Sequence, residues 1–334
     1  MSKNWLKILF LIFLPLFGMG QGLILNGAVM FVVTGNNATV YVDGDANGKV
    51  TIGSGAEYKV YDDTRLKLDG DFTNNGTFLK DVTYTGTVSI IGSSASAIAG
   101  STGTEFYNLT VTKEAQATAV TAAINFTVTN DFNVTVGTVN LTKTDGIYIF
   151  KNLNTSSGTT FNHSLILDFI GSIIYIDGNF LIDGNYYCYD DNSVTMRGAG
   201  TQYIRTGNQS GYPLGVYKLA FKYGDFYANG TVKINNIAYI GWADIGNFHT
   251  NGQIVEFPIT FIDGGHIYVD GGSLTCSYAD PAYGFQIGYA WTAGSCTVSS
   301  GTLNATYLYV GYTDAIHQGT LSVTGGTVNA TDVN

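Results

Sequence analysis

Val40, Tyr41, Val42, Asp43, Gly44, Asp45 is followed 26 residues later by Leu66, Lys67, Leu68, Asp69, Gly70, Asp71, with Phe72 next. Each phrase is a short apolar, any, apolar run ending in an acidic glycine corner. It returns as Ile176, Asp177, Gly178, Asn179, 108 residues after Leu68. Period two in branched and aromatic residues marks strands, and strands this short cannot hold a sheet together alone. Recurrence supplies the partner: a strand can pair with its own counterpart one repeat later.

The longer match extends beyond this phrase. Phe72, Gly76 and Phe78 correspond to Phe180, Gly184 and Tyr186, while Val88, Ile90, Gly92 and Ile98 correspond to Val194, Met196, Gly198 and Ile204. Tyr107, Leu109, Val111 and Ile124 then meet Tyr217, Leu219, Phe221 and Ile234. A super-repeat of this length reads as four units of roughly 27 residues. A tighter repeat closes the chain: Ile267, Val269, Gly272, Leu274 returns as Cys296, Val298, Gly301, Leu303 and again as Leu321, Val323, Gly326, Val328. Ile287, Gly288, Tyr289 is echoed by Val310, Gly311, Tyr312.

Repeats of about 25 residues favour winding over hairpins, with like side chains stacking about 4.8 Å apart in inward columns. The expected fold is all-β, a right-handed parallel β-helix (β-solenoid) of the pectate-lyase-like superfold, with about 12 coils in a rod near 60 Å long. Asp-Gly and Asn-Gly corners are expected to use glycine for positive φ. Three segments are read: a signal peptide at 1–20, a β-helix with the super-repeat at 21–260, and its Gly-Thr-rich continuation at 261–334. The stop at Asn334 falls inside a repeat and reads as truncation.

The N-terminus carries Lys3 and Lys7, an apolar run from Ile8 to Phe17, then Gly18, Met19, Gly20 before Gln21, the three regions of a cleaved export signal. After cleavage no membrane span is expected, and the mature chain should be secreted or held at the outer cell surface. The composition is 15 Lys plus Arg against 25 Asp plus Glu, a net charge of −10. Nucleic acid is therefore not an expected partner, since phosphate binding needs concentrated basic surface. Hydrophobic residues make up 45% and charged residues 12%, which excludes a disordered or coiled-coil chain. Cys188, Cys276 and Cys296 are too few for a disulfide framework and read as small buried hydrophobes, in preference to a Cys276 to Cys296 bridge.

The phrase Asp69, Gly70, Asp71, Phe72, Thr73, Asn74, Asn75, Gly76, Thr77, Phe78 resembles repeats of secreted surface proteins from type IX-secreting bacteria of the Bacteroidota kind. Phe106 to Val111 and Ser193 to Gln202 follow the same pattern. The last copies, such as Thr320 to Ala330, are similar to β-helix repeats of autotransporter passenger domains. The resemblance implies an exported, adhesin-like surface protein without known enzymatic activity.

Candidate chemistry is sparse. Asp190 and Asp191 with Arg197 and Arg205, or Asp62 and Asp63 with Arg65, would suit a polysaccharide lyase or hydrolase. The plainer reading is solvated turn carboxylates. Asp190 and Asp191, like the Asp-Gly corners at Asp43, Asp69, Asp177, Asp183 and Asp270, are weighed as calcium ligands, with corner turns preferred. His163, His249, His266 and His317 stand isolated in sequence. No catalytic residue, metal or cofactor is assigned. Tyr186, Tyr187 and Tyr189 form one aromatic cluster, and Tyr283, Phe285, Tyr289 and Trp291 another. Of these, Tyr187, Tyr189, Tyr283, Tyr289 and Trp291 are the glycan-binding candidates, because a flat ring matches the apolar face of a sugar; covering a sheet is the competing role. The twelve Asn-x-Ser/Thr sequences, from Asn37 to Asn329, read as accidents of composition. The leading expectation is a surface adhesin-like or structural solenoid without catalysis, whose partners are glycans or other cell-surface molecules. A carbohydrate-binding solenoid comes next, and a polysaccharide-degrading enzyme last.

Overall fold

The computed structural model describes residues 22–25, 30–33, 39–42, 48–80, 84–163, 172–188, 192–207, 209, 214–241, 244–289, 292–311 and 318–334. Among them every regular element is a strand. The strands pair in parallel, with one isolated antiparallel bridge between Tyr187 and Leu214. The chain is a parallel β-solenoid with three faces, of about 11 turns where the repeat length suggested about 12. Among the described residues no helix is long and apolar enough to cross a membrane. The expected signal segment lies outside the described residues, as do Asp43, Tyr189, Asp190, Asp191, Trp291 and His317.

The first face stacks Leu23–Leu25, Val50–Ile52, Phe72–Asn74, Ser96–Gly100, Ala119–Ala122, Thr138–Leu141, Thr160–His163 and Asn185–Cys188 in one eight-stranded sheet. The second begins with Met30–Val33, Glu57–Val60 and Thr77–Lys80 and includes Ile173–Ile176, Ser193–Met196, Val216–Phe221, Ile259–Ile262 and Phe285–Ile287. Thr39–Val42, Arg65–Leu68, Thr87–Gly92 and Asn108–Lys113 open the third. Long strands such as Phe126–Val136 bend round a corner and serve two faces. Turn length varies along the rod: 19 residues separate Ala119 from its partner Thr138, and 29 separate Ile267 from Cys296.

The repeats quoted above coincide with this stacking. Val42 and Leu68 are register partners, followed in the same buried column by Ile90 and Val111. Ile267, Cys296 and Leu321 stack likewise, as do Leu274, Leu303 and Val328. The super-repeat does not equal four turns. Leu68 closes a third-face strand and leads to the first face, whereas Ile176 closes a second-face strand and leads to the third. The 108-residue shift therefore spans four turns and two further faces. Two different corners share one sequence because both need an apolar strand end, a carboxylate and a glycine.

Glycine serves these corners in two ways. Gly271 has φ +116°, as expected of an Asp-Gly turn. Gly178 does not have a positive φ; a Cβ there would lie 2.5 Å from Asn152 Oδ1 and 2.6 Å from the Lys151 carbonyl oxygen. Crowding by the previous turn, not dihedral freedom, requires glycine at that corner.

Apolar and aromatic side chains fill most of the interior. Phe72, Phe78, Phe106, Phe126, Phe132, Phe150, Phe161 and Tyr186 form a chain of rings with centroids 5.1 to 6.1 Å apart. Cys188, Cys276 and Cys296 are buried free thiols, as the sequence reading expected. Asparagine ladders bind successive turns: Asn130 Nδ2 donates to Asn108 Oδ1 at 2.8 Å, and Asn152 Nδ2 to Asp131 Oδ1 at 2.8 Å. Asn152 Oδ1 in turn accepts from the Asn179 amide at 2.8 Å. Asn154 pairs with Asn133, Asn162 with Asn140 and Asn329 with Asn304. These six and Asn108 all head Asn-x-Ser/Thr sequences, so much of that motif has a structural role between turns, which composition did not reveal.

Candidate functional site

Alternation along each strand turns one side chain in two outward. On the second face this places Tyr175, Thr195, Ala220, Tyr239, Phe261, Gln286 and Tyr309 in one register column. Although outward, Phe261 is nearly sealed, because Tyr289 stacks on it at 4.1 Å and Tyr239 lies 5.5 Å away on the adjacent turn. Burial raises the Tyr239 phenol pKa, helped by nearby Tyr289 and Tyr283. Tyr283 is 42% exposed and meets Tyr278 edge-on at 5.7 Å. The structure thus brings Tyr283 and Tyr289 together with Tyr239 and Phe261. Tyr187 does not join them: it lies on the first face, bridged to Leu214. Tyr289 both covers the sheet and extends the aromatic surface.

Toward the N-terminal end the strip opens into a groove of about 360 Å³. Tyr175 and Tyr239 stand at its two ends along the rod, three register steps apart, or about 14 Å. The floor between them is small, with Thr195 and Ala220 in the intervening turns. Lys218 and Lys222 flank Ala220 on the two sides, four residues apart in the chain and about 13 Å in backbone reach. No carboxylate lines the groove among the described residues. Arg197 sits 4.0 Å from the Tyr175 ring centroid while its Nε donates to Asp177 Oδ1 at 2.7 Å. Sequence reading missed this groove, because Tyr175 and Tyr239 are neighbours only once the register is known.

A second aromatic column occupies the third face. Tyr203, Tyr227, His249 and Tyr268 are register partners, and His249 is stacked 4.2 Å from Tyr227 and 4.3 Å from Tyr268. His249 Nδ1 lies 3.0 Å from Asp270 Oδ2, and His266 is bonded to Ser295 and Thr297. The two histidines are isolated in sequence but adjacent in space: burial lowers the His266 pKa, and neighbouring His249 adds to the effect. His163 is instead fully buried.

The carboxylates proposed for catalysis or calcium are placed differently. Arg197 and Arg205, offered as companions of Asp190 and Asp191, pair with Asp177 and Asp183 at 2.7 and 2.6 Å. A partner one turn away lies about 4.8 Å along the axis, nearer than a residue several positions along the same strand. Asp69 accepts the Gly48 amide at 2.7 Å, and Asp270 accepts the Asn251 amide at 2.6 Å. Asp62, at φ 52°, and Asp63 belong to the turn closed by the Thr64 to Tyr61 backbone bond. These corner carboxylates hold turns together. In comparisons with known proteins, no family model, curated protein or solved structure matches this chain.

Proposed function

We propose that this chain is an exported, adhesin-like solenoid of a bacterial cell surface, which works by binding glycans and not by catalysis. One observation carries the reading: Tyr239, Tyr289 and Tyr283 collect on one outer face of a rigid rod, around the covered ring of Phe261. Flat rings offer apolar planes to the apolar faces of sugars. The underlying ladder fixes their spacing before a ligand arrives, which lowers the ordering cost of binding. Export is supported by Lys3 and Lys7 ahead of the run from Ile8 to Phe17, and by the resemblance of the Asp69 to Phe78 phrase to secreted surface repeats.

The test is a glycan array probed with the intact chain, with Tyr283→Ala and Tyr289→Ala variants whose melting temperatures are measured alongside. Binding that is lost in folded variants supports the reading. Absence of binding to every glycan rejects it in favour of a purely structural rod. Release of new reducing ends from a polysaccharide would instead assign an enzyme.

A further inference from the structure

We infer that the polar groove on the third face, between Asn133 and Arg205, is a subsite for an uncharged sugar, held by amide and carboxylate hydrogen bonds over the apolar side chain of Leu181. The inference rests on the glycan-binding reading and adds a place and a chemical class for one ligand, away from the aromatic strip. Asn133, Asn154, Leu181 and Arg205 occupy one register column in four successive turns. Leu181 points outward because it alternates with buried Phe180 and Ile182. The groove that these residues line has a volume of about 280 Å³. Pockets for drug-sized ligands run from about 300 to 1,000 Å³, so this one suits one or two sugar rings.

An interrupted ladder of amides makes the site. Asn154 Nδ2 donates to Asn133 Oδ1 at 3.0 Å. In the next turn the column carries Leu181, whose side chain has no hydrogen-bonding group to continue the ladder. Among the described residues, Asn154 Oδ1 is therefore an open acceptor, and Asn133 Nδ2 an open donor. Beyond Leu181, Arg205 Nε and Nη2 donate to the two oxygens of Asp183, each at 2.6 Å, and Arg205 Nη1 donates to the Asn229 carbonyl oxygen at 3.2 Å. The two charged groups that line the groove thus neutralise each other. No charged residue follows Arg205 in sequence before Lys218. An anionic sugar would meet the Asp183 carboxylate and find the guanidinium already engaged. A neutral hydroxyl can instead donate to a spare lone pair of that carboxylate, a charge-assisted bond. A few fixed polar groups around an apolar floor match a sugar, whose hydroxyls ring its edge and whose C–H groups form its face.

The experiment is calorimetry on the intact chain with neutral trisaccharides of glucose, mannose and galactose, at low and at high salt. At least one should bind, with an affinity that changes less than about twofold between the two salts, because no net charge is neutralised. Leu181→Asn continues the amide ladder and occupies Asn154 Oδ1. It should weaken that sugar about tenfold while leaving the melting temperature unchanged or higher. Asn154→Leu, which removes the acceptor, should weaken it to a similar degree, and Tyr289→Ala should leave this affinity unchanged. Binding that Tyr289→Ala removes and both third-face variants keep, or an affinity that collapses as salt rises, overturns the inference and leaves the glycan-binding reading intact. So does failure of all three trisaccharides to bind when the glycan array reports other ligands. If the array is silent as well, the broader reading falls with it.

Discussion

The Tyr186 hydroxyl lies 3.0 Å from Nδ1 of His163, and both side chains are sealed inside the rod. Burial pushes the His163 pKa down to about 3, against a smaller upward pull from the Ser172 backbone. Between the ordinary value near 6.5 and about 3, the unfolded chain binds a proton that the folded chain refuses. Stability should therefore fall as pH drops through that window, with this one group contributing up to about 1.4 kcal/mol per pH unit. His163→Gln, uncharged at every pH, should show a smaller loss than the parent between about pH 7 and pH 4 in urea titrations. Equal losses in the two proteins would refute the assignment.

Asn152 gives one hydrogen bond and takes another between successive turns, to Asp131 Oδ1 and from the Asn179 amide. Asn152→Ala leaves the amide of Asn179 without that acceptor and removes a donor from Asp131. A loss of about 1 to 3 kcal/mol is expected from chemical denaturation. Asn152→Asp should be worse than loss of the donor alone, because it sets a second carboxylate beside Asp131.

Burial raises the pKa of the Cys276 thiol to about 12 and that of Cys296 further, with Cys276 itself adding to the latter effect. The thiolate is the reactive form, so neither thiol should react with a disulfide reagent in the folded chain at neutral pH. Cys188 is also buried and unbridged. All three should label after denaturation, and reductant should leave the melting temperature unchanged. A reductant-sensitive melting temperature would indicate a bridge.

The inward columns were legible in sequence because a parallel stack repeats its own chemistry: Ile267, Cys296 and Leu321 occupy one column and also head three copies of one phrase. The phase of the longer repeat was not, since the corners after Leu68 and after Ile176 impose the same residues on different faces. Tyr283 and Tyr289 could be picked out as a local cluster. Their partners Tyr239 and Phe261 could not, and neither could the groove, whose Thr195 and Ala220 are informative only for being small. Contacts made one turn apart depend on turn length, which is 19 residues at Ala119 and 29 at Ile267. No fixed spacing in the sequence therefore announces them.

Excision of one whole turn is the strongest test of the stacking itself. Ala119 and Thr138 are register partners on the first face, so deleting residues 119–137 joins Thr118 to the start of an equivalent strand. Every strand after the cut keeps its face. In the intact rod Val128 sits above Phe106 and Phe150 above Val128, so after the excision Phe150 takes the place of Val128 over Phe106. Asn152 would likewise meet Asn108 in place of Asp131. Because backbone pairing joins each turn to its immediate neighbours, the shortened rod should lose the contribution of one turn and keep a cooperative unfolding transition. A control deletion of residues 119–128, less than one turn, shifts every later strand off its face and should abolish that transition. Circular dichroism and thermal melting distinguish the two. If the whole-turn deletion unfolds as completely as the partial one, the turns are not interchangeable units.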